Sequence, residues 1–297
     1  MFGILNINKP EGWTSRDVVN RVHRLVKPAK AGHAGTLDPL ATGVLVLCIG
    51  PATRLISYIQ EMPKQYQATF QLGVSSPSDD TETETNPLPS PSVPIMAEIE
   101  AQLPNFLGKI QQIPPAYSAV KIGGKRAYKL VRKGQQVEIS PRTVEIYDLQ
   151  ITAYEYPRLE MTIRCGSGTY VRSLGRDLAE SLGTAAVMSG LVRTSIGRFN
   201  IKDGLTLDQL SQEELTTKLQ PAKCAVEHLP TMTLSAEQIE EIRNGRTITT
   251  SSLATKDDSP SEIAALDVDG NLVALLKEKQ PGIFGPIRNF SSPSRPA

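Results

Sequence analysis

Residues Gly32-His33-Ala34-Gly35-Thr36-Leu37-Asp38-Pro39-Leu40-Ala41-Thr42-Gly43 place one carboxylate, Asp38, in a segment with three glycines and one proline among twelve positions. That composition excludes a helix interior and describes a shaped loop. Pro39 fixes the φ angle that follows the carboxylate, and the apolar run Val44–Ile49 ties the loop to something buried. A single presented carboxylate can serve as a nucleophile or a general base. A tight turn with an incidental Asp is equally written in these residues, because Asp-Pro and Gly are ordinary turn chemistry. A carboxylate glycosidase acting on free sugars would want a pair of acids, and the loop offers one. The three histidines (His23, His33, His228) and three cysteines (Cys48, Cys165, Cys224) show no metal-ligand spacing. No metal or other cofactor is therefore expected.

Three other groups come into consideration. Tyr66 lies on the apolar side of an alternating strand, Gln65 to Leu72, where core packing is its default role. A second alternating strand, Leu159–Cys165, runs through Gly166-Ser167-Gly168 into a helix marked by Val171, Leu174 and Leu178 and closed by Gly183. Arg172 falls in the first turn of that helix, where the partly positive helix end disfavours a cation. Its placement invites pairing with a carboxylate. Between Lys121 and Arg142 stand seven cations (Lys121, Lys125, Arg126, Lys129, Arg132, Lys133, Arg142) against one acid, Glu138. In a chain of net charge +1, such segregation reads as a phosphate-binding surface or a solvated helix face.

The elements that must position these groups follow from periodicity. Residues 4–8 read as a strand. Thr14 and Asp17 form a capping box ahead of Val18, Val19, Val22, Leu25 and Val26 at helical spacing. Pro51 opens a further helix, and residues 75–95, rich in Ser, Pro, Thr and acid, read as a mobile surface loop. Leu191–Phe199 reads as a strand with exposed cations, Arg193 and Arg198, and residues 205–219 as helix. From Leu234 on, a helix over Ala236–Arg243 and an Asp269-Gly270 hairpin read as a small separate unit. Length suggests two domains. No apolar run is long enough to span a membrane, the first residues lack a secretory pattern, and the cysteine usage fits a reducing cytoplasm.

Taken together, the Asp38 loop resembles the catalytic motif of the TruB family of tRNA pseudouridine synthases. Further segments match in the same order: Asn8-Lys9-Pro10 with Gly12, Lys64-Gln65-Tyr66 before Leu72-Gly73, Ile113-Pro114-Pro115 before Tyr117–Lys121, Gly168–Leu174, and Leu191-Val192-Arg193 before Ile196-Gly197. The resemblance covers residues 3–200. It implies a mixed α/β (α+β) pseudouridine synthase fold, with a central, mostly antiparallel sheet flanked by helices over residues 1–230. A basic RNA-binding insertion at about 114–142 and a small β-rich PUA-like module over 231–297 are implied as well. The implied reaction converts uridine to pseudouridine at position 55 in the T-arm of tRNA, with the base flipped out of its stack. The resemblance makes Asp38 the essential carboxylate and Arg172 its ion-pair partner. Tyr66 becomes the group that stacks on the base and handles the C5 proton. Substrate contacts are implied for His33, Tyr170, Leu191, Lys9, Asp80, Lys121, Lys125 and Lys129. Lys9 would also support the loop, and Arg193 and Arg198 are further phosphate candidates. The implied partner is tRNA alone, bound by a cytoplasmic monomer, with an accompanying tRNA-folding activity as a corollary. The competing reading, a non-catalytic tRNA-binding or RNA chaperone protein, predicts decay of the set Asp38, Tyr66, Arg172, and all three stand in place.

Overall fold

In the computed structural model, residues 1–118, 120–131, 134–135, 137–249 and 262–290 are described. Among them, nine strands form one sheet. Its main path runs Gly3–Lys9, Thr42–Ile49, Ala186–Ile196, Lys64–Leu72, Arg158–Cys165, Arg142–Glu155 and Gly108–Gln112. Every neighbour on that path is antiparallel except one: Ala186–Ile196 lies parallel to Thr42–Ile49, pairing Val192 with Thr42 and Arg193 with Gly43. On its other side the same strand pairs Arg193 with Tyr66. Three neighbouring strands thus bring the end of the Asp38 loop, Arg193 and Tyr66 side by side.

The alternation that marks residues 64–72 as a strand is seen directly. Lys64, Tyr66, Ala68, Phe70 and Leu72 are buried, and Gln65, Gln67 and Gln71 are exposed. The helix Ser15–Val26 carries the expected capping box, with Thr14 Oγ1 accepting from the Asp17 amide and the Asp17 carboxylate accepting from the Thr14 amide. Its buried valines, Val18, Val19, Val22 and Val26, pack on Leu5, Ile7, Leu45 and Leu47. Each such burial contributes roughly 1.5–3 kcal/mol. The helix Val171–Ser181 seats Leu174, Leu178 and Ala179 in a second apolar cluster, around Phe70 and Met161. Gly175 permits this approach, because a Cβ there would stand 2.1 Å from the Phe70 ring.

Gly43 is required for two reasons. Its φ is +96°, and an added Cβ would stand 2.3 Å from the Arg193 carbonyl oxygen. Gly43→Ala is expected to cost about 2–5 kcal/mol through backbone strain and overpacking together. Urea denaturation measures it, and an unchanged midpoint would show that the parallel strands part without penalty.

Two expectations are corrected. The segment 75–95 is not wholly a surface loop. Ser78 and Asp80 are buried, and Asp80 bridges to Met188 beside the main sheet. Only Gln212–Thr217 of residues 205–219 is helical, because Leu205 is drawn into a backbone bridge with Ile7. The C-terminal strands Thr231–Thr233, Ile248–Thr249, Ile263–Leu266, Leu272–Gln280 and Ile283–Asn289 do form a five-stranded sheet. Of that sheet, Ala264, Leu272, Leu275 and Phe290 share one apolar cluster with Ile4, Val44, Val46 and Ala222.

Candidate active site

The Asp38 loop is held from three sides. Its start continues from the strand Ala31–His33, where the Ala34 amide donates to Val46 O at 2.8 Å. Its middle is pinned by Ser15, whose hydroxyl accepts from the Leu37 amide at 2.8 Å and donates to Leu37 O at 3.0 Å. Its second half rests on Lys9. That ammonium donates to Trp13 O at 2.6 Å, Pro10 O at 2.9 Å and Pro39 O at 3.3 Å. Lys9 is fully buried, and burial pulls its pKa down to about 8 against the attraction of Asp38. Its place is therefore under the loop, as support, and not on the open side as a substrate contact.

Within this frame the Asp38 side chain remains 37% exposed, with Oδ2 3.1 Å from Arg172 Nη2. The guanidinium of Arg172 is itself buried and serves four acceptors. Nη1 donates to Asp80 Oδ2 at 2.9 Å and to Ser78 O at 2.8 Å, while Nη2 also donates to Tyr117 O at 3.2 Å. The cation that looked misplaced at a helix start is thus a junction between the carboxylate loop, residues 78–80 and the segment that leads into the basic excursion. Two carboxylates on one buried cation satisfy the requirement that enclosed charges be paired and hydrogen-bonded.

Asp80 is fully enclosed. Its Oδ1 accepts from the Ser78 hydroxyl at 2.5 Å and the Glu82 amide at 3.0 Å. It pairs with Arg172 Nη1 at 2.9 Å, inside a polar network and away from the open side. Sequence reasoning missed the rest of this clamp. Asp79 pairs with Arg176 at 2.6 Å, so adjacent acids meet arginines four residues apart on one helix face. Burial raises the Asp79 carboxyl pKa, and Arg176 works against that. Glu82 Oε1 accepts from the Leu40 amide at 3.1 Å, closing the far side of the Asp38 loop. The i, i+4 arginines opposite Asp79-Asp80 were a usable signal; nothing local marks Glu82.

Tyr66 is 8% exposed and belongs to the apolar cluster that Leu40 and Leu191 flank. Burial raises its hydroxyl pKa, and Arg193 works in the opposite direction. Tyr170 immediately precedes the Arg172 helix and is fixed by Gln112. The Gln112 side chain accepts from its amide at 2.8 Å and donates to its carbonyl at 3.0 Å. The Arg142 guanidinium covers its ring at 4.5 Å. His33, half-buried at the loop's entrance, has its pKa lowered first by burial and then by Arg193 and Arg16, which keeps the ring neutral at physiological pH.

Arg193 departs most from expectation. It is not an exposed phosphate contact but 2% exposed, with Nε donating to Val44 O at 2.7 Å. Arg198 pairs with Glu227 on the surface, so its charge is compensated there. Of the basic excursion, Lys121 and Lys125 fall on the paired short strands Lys121–Ile122 and Lys125–Arg126, and Lys129 is exposed on the helix Ala127–Val131. Arg132 and Lys133 lie outside the described residues, as does the Pro- and Ser-rich tail from 291.

A mostly antiparallel sheet carrying a loop carboxylate paired with a buried arginine, next to a tyrosine on the neighbouring strand, defines a class of protein by arrangement. The comparisons agree. Residues 23–171 match the TruB family pseudouridylate synthase (N terminal domain). The tRNA pseudouridine synthase B of Dehalococcoides mccartyi is 40% identical over 294 residues, 98% of this chain and 97% of that protein. The tRNA pseudouridine synthase B of a Synechocystis species is 45% identical over 243 residues, 80% and 82% of the two chains. A chain in a Cbf5-Nop10-Gar1 complex superposes with a TM-score of 0.70 at 27% identity, covering 93% of this chain and 78% of that one. A chain in an H/ACA RNP bound to a substrate RNA containing 2'-deoxyuridine gives a TM-score of 0.73 at 24% identity over 99% and 86%, a likeness of fold. The fold is that of a pseudouridine synthase, an isomerase. This chain belongs to the TruB family of pseudouridylate synthases.

Proposed function

We propose that this enzyme isomerises one uridine, at position 55 in the T-arm of tRNA, to pseudouridine, acting as a cytoplasmic monomer. The observation that carries the reading is the Asp38–Arg172 pair. One carboxylate stays open to the outside while its cation, 3.1 Å away, is anchored by a second, buried carboxylate. Arg172 thereby holds the carboxylate by a charge-assisted contact without closing it off. The named relatives, each a tRNA pseudouridine synthase B, support the tRNA substrate. Three free cysteines, all buried, support a reducing compartment.

In this reading the uridine leaves its stack at a cost of a few kcal/mol. It enters between Leu40, Leu191 and the Tyr66 ring, where stacking returns about 1–3 kcal/mol. His33, uncharged and at the loop entrance, fills the space the base leaves. Asp38 drives cleavage of the C1′–N1 bond, the uracil turns, and C5 joins C1′. The hydrogen on C5 must then leave. A tRNA labelled with tritium at uridine C5 is expected to release one equivalent to water for each target uridine. Full retention of the label would contradict the reaction.

Lys121, Lys125 and Lys129 are assigned to phosphates. Each phosphate contact removed is expected to reduce the slope of log affinity against log salt by about 0.7–0.9. Neutralising these three lysines together, and Lys133 with them, checks this by filter binding across salt concentrations. An unchanged slope would remove the excursion from the interface.

A further inference from the structure

Arg193 is among the largest fully enclosed side chains in the molecule, and no role in the reaction has been given to it above. Among the described residues it makes no ion pair with a carboxylate. Its guanidinium instead donates to three carbonyls: Val44 O at 2.7 Å, Gly35 O at 3.1 Å and Thr36 O at 3.4 Å. Two of these belong to the Asp38 loop. Its backbone lies between the two strands that matter, paired with Gly43 on one side and Tyr66 on the other. Directly paired residues of neighbouring strands project to the same face, so a formal positive charge is held in the interior against Tyr66.

The surroundings deepen that charge. Lys9 and Lys64 both feel Arg193, and burial pulls each of them down to about 8. His33 feels it as well. The groups facing Tyr66 itself are Arg193 from its paired strand, Cys165 from the other neighbouring strand and Asp38 from the loop. Burial pushes the Cys165 thiol up to about 11, so it is neutral at physiological pH. Arg193 is the cation among the groups that act on Tyr66. An enclosed, uncompensated cation is costly to fold around and favours any anion formed beside it.

We propose that Arg193 is a positioning residue for the isomerisation. It ties the Gly35 and Thr36 carbonyls, and so the Asp38 loop, to the strand bearing Tyr66, and it supplies the positive charge that lets the Tyr66 oxygen act as the acceptor of the C5 proton. The step balances. The phenolate oxygen takes the proton from C5, and the C–H electron pair returns to the ring and restores its conjugation. N1, freed from the sugar, takes a proton from water, and the phenol later gives one back. The proposal rests on the pseudouridine synthase reading for its chemistry, but its electrostatic part is measured on the free protein, without RNA.

The experiment places 3-fluorotyrosine at position 66 in the full chain and follows its ¹⁹F resonance with pH. In the unmutated chain its midpoint is expected above that of free 3-fluorotyrosine, because burial disfavours the phenolate. Arg193→Gln is expected to raise that midpoint by at least about one unit, roughly tenfold in the ionisation constant. The same variant should lower kcat while KM for tRNA stays near that of the unmutated enzyme. A folded Arg193→Gln protein with an unmoved midpoint overturns the proposal, whatever the enzyme's substrate proves to be. If Arg193→Gln does not fold, the ¹⁵N resonance of Arg193 Nε in the unmutated chain decides. It is expected to shift with the Tyr66 midpoint and to lose that inflection in Tyr66→Phe. No inflection overturns the proposal.

Discussion

Asp38→Asn is expected to abolish isomerisation, by more than roughly 10³-fold in rate, while tRNA binding persists. The geometry separates the two effects. Asparagine has the shape of aspartate, and the loop is held by Ser15, Lys9 and Glu82 through backbone groups that do not involve the carboxylate. Arg172 keeps its bonds to Asp80, Ser78 and Tyr117 when Asp38 loses its charge. The Asp38 side chain is more than a third exposed, so its ion pair contributes no more than about 1 kcal/mol to stability. The variant should therefore fold with a denaturation midpoint close to that of the unmutated chain. Affinity for nucleic acid generally comes largely from phosphate contacts, and the residues proposed for them lie elsewhere. Single-turnover rates and binding isotherms on the same tRNA check this. Activity retained in Asp38→Asn would remove the carboxylate from the mechanism.

Removing Arg172 has a different signature, because this residue serves stability and chemistry at once. Arg172→Ala leaves the fully enclosed Asp80 without its cation. Breaking a buried pair on one side costs about 3–5 kcal/mol. A loss of turnover in that variant alone would be ambiguous. Arg172→Met with Asp80→Asn resolves it, since both charges leave together and the methionine fills the space. Replacing both members of a buried pair with neutral groups is close to neutral for stability. The double variant is expected to recover most of the urea midpoint and to remain slow, with turnover reduced far more than affinity. Recovery of stability and turnover together would show that Arg172 acts only as a structural junction. An effect on affinity alone would also sever its link to Asp38.

Much of this site is legible in the residues because it is built from local signals. Gly32, Gly35, Pro39 and Gly43 announce a shaped loop, the alternation around Tyr66 announces a half-buried strand, and Thr14 with Asp17 announces a helix start. The structure returns each of them. Arg172 is legible through a conflict, a cation at the wrong end of a helix, and the conflict is resolved by acids that come from elsewhere in the chain. What could not be read is what depends on long-range partners. Asp80 lies in a stretch whose Ser, Pro and acid content describes a solvated loop, yet Arg172, 92 positions later, draws it into the interior. Arg193 fails in the opposite sense. In its strand it alternates like a surface residue, and only the parallel junction with Gly43 turns it inward, where loop carbonyls take the place of water. The C-terminal sheet is legible as strands and a hairpin, but its shared core with Ile4 and Val44 is not, because both apolar surfaces look self-sufficient in sequence.

The most direct measurement is to incubate the protein with an unmodified tRNA transcript and map pseudouridine at nucleotide resolution, with Asp38→Asn in parallel. The account predicts one new pseudouridine, at position 55 in the T-arm, formed by the unmutated chain and absent with the variant. No pseudouridine, pseudouridine at other positions only, or the same product from Asp38→Asn would contradict it.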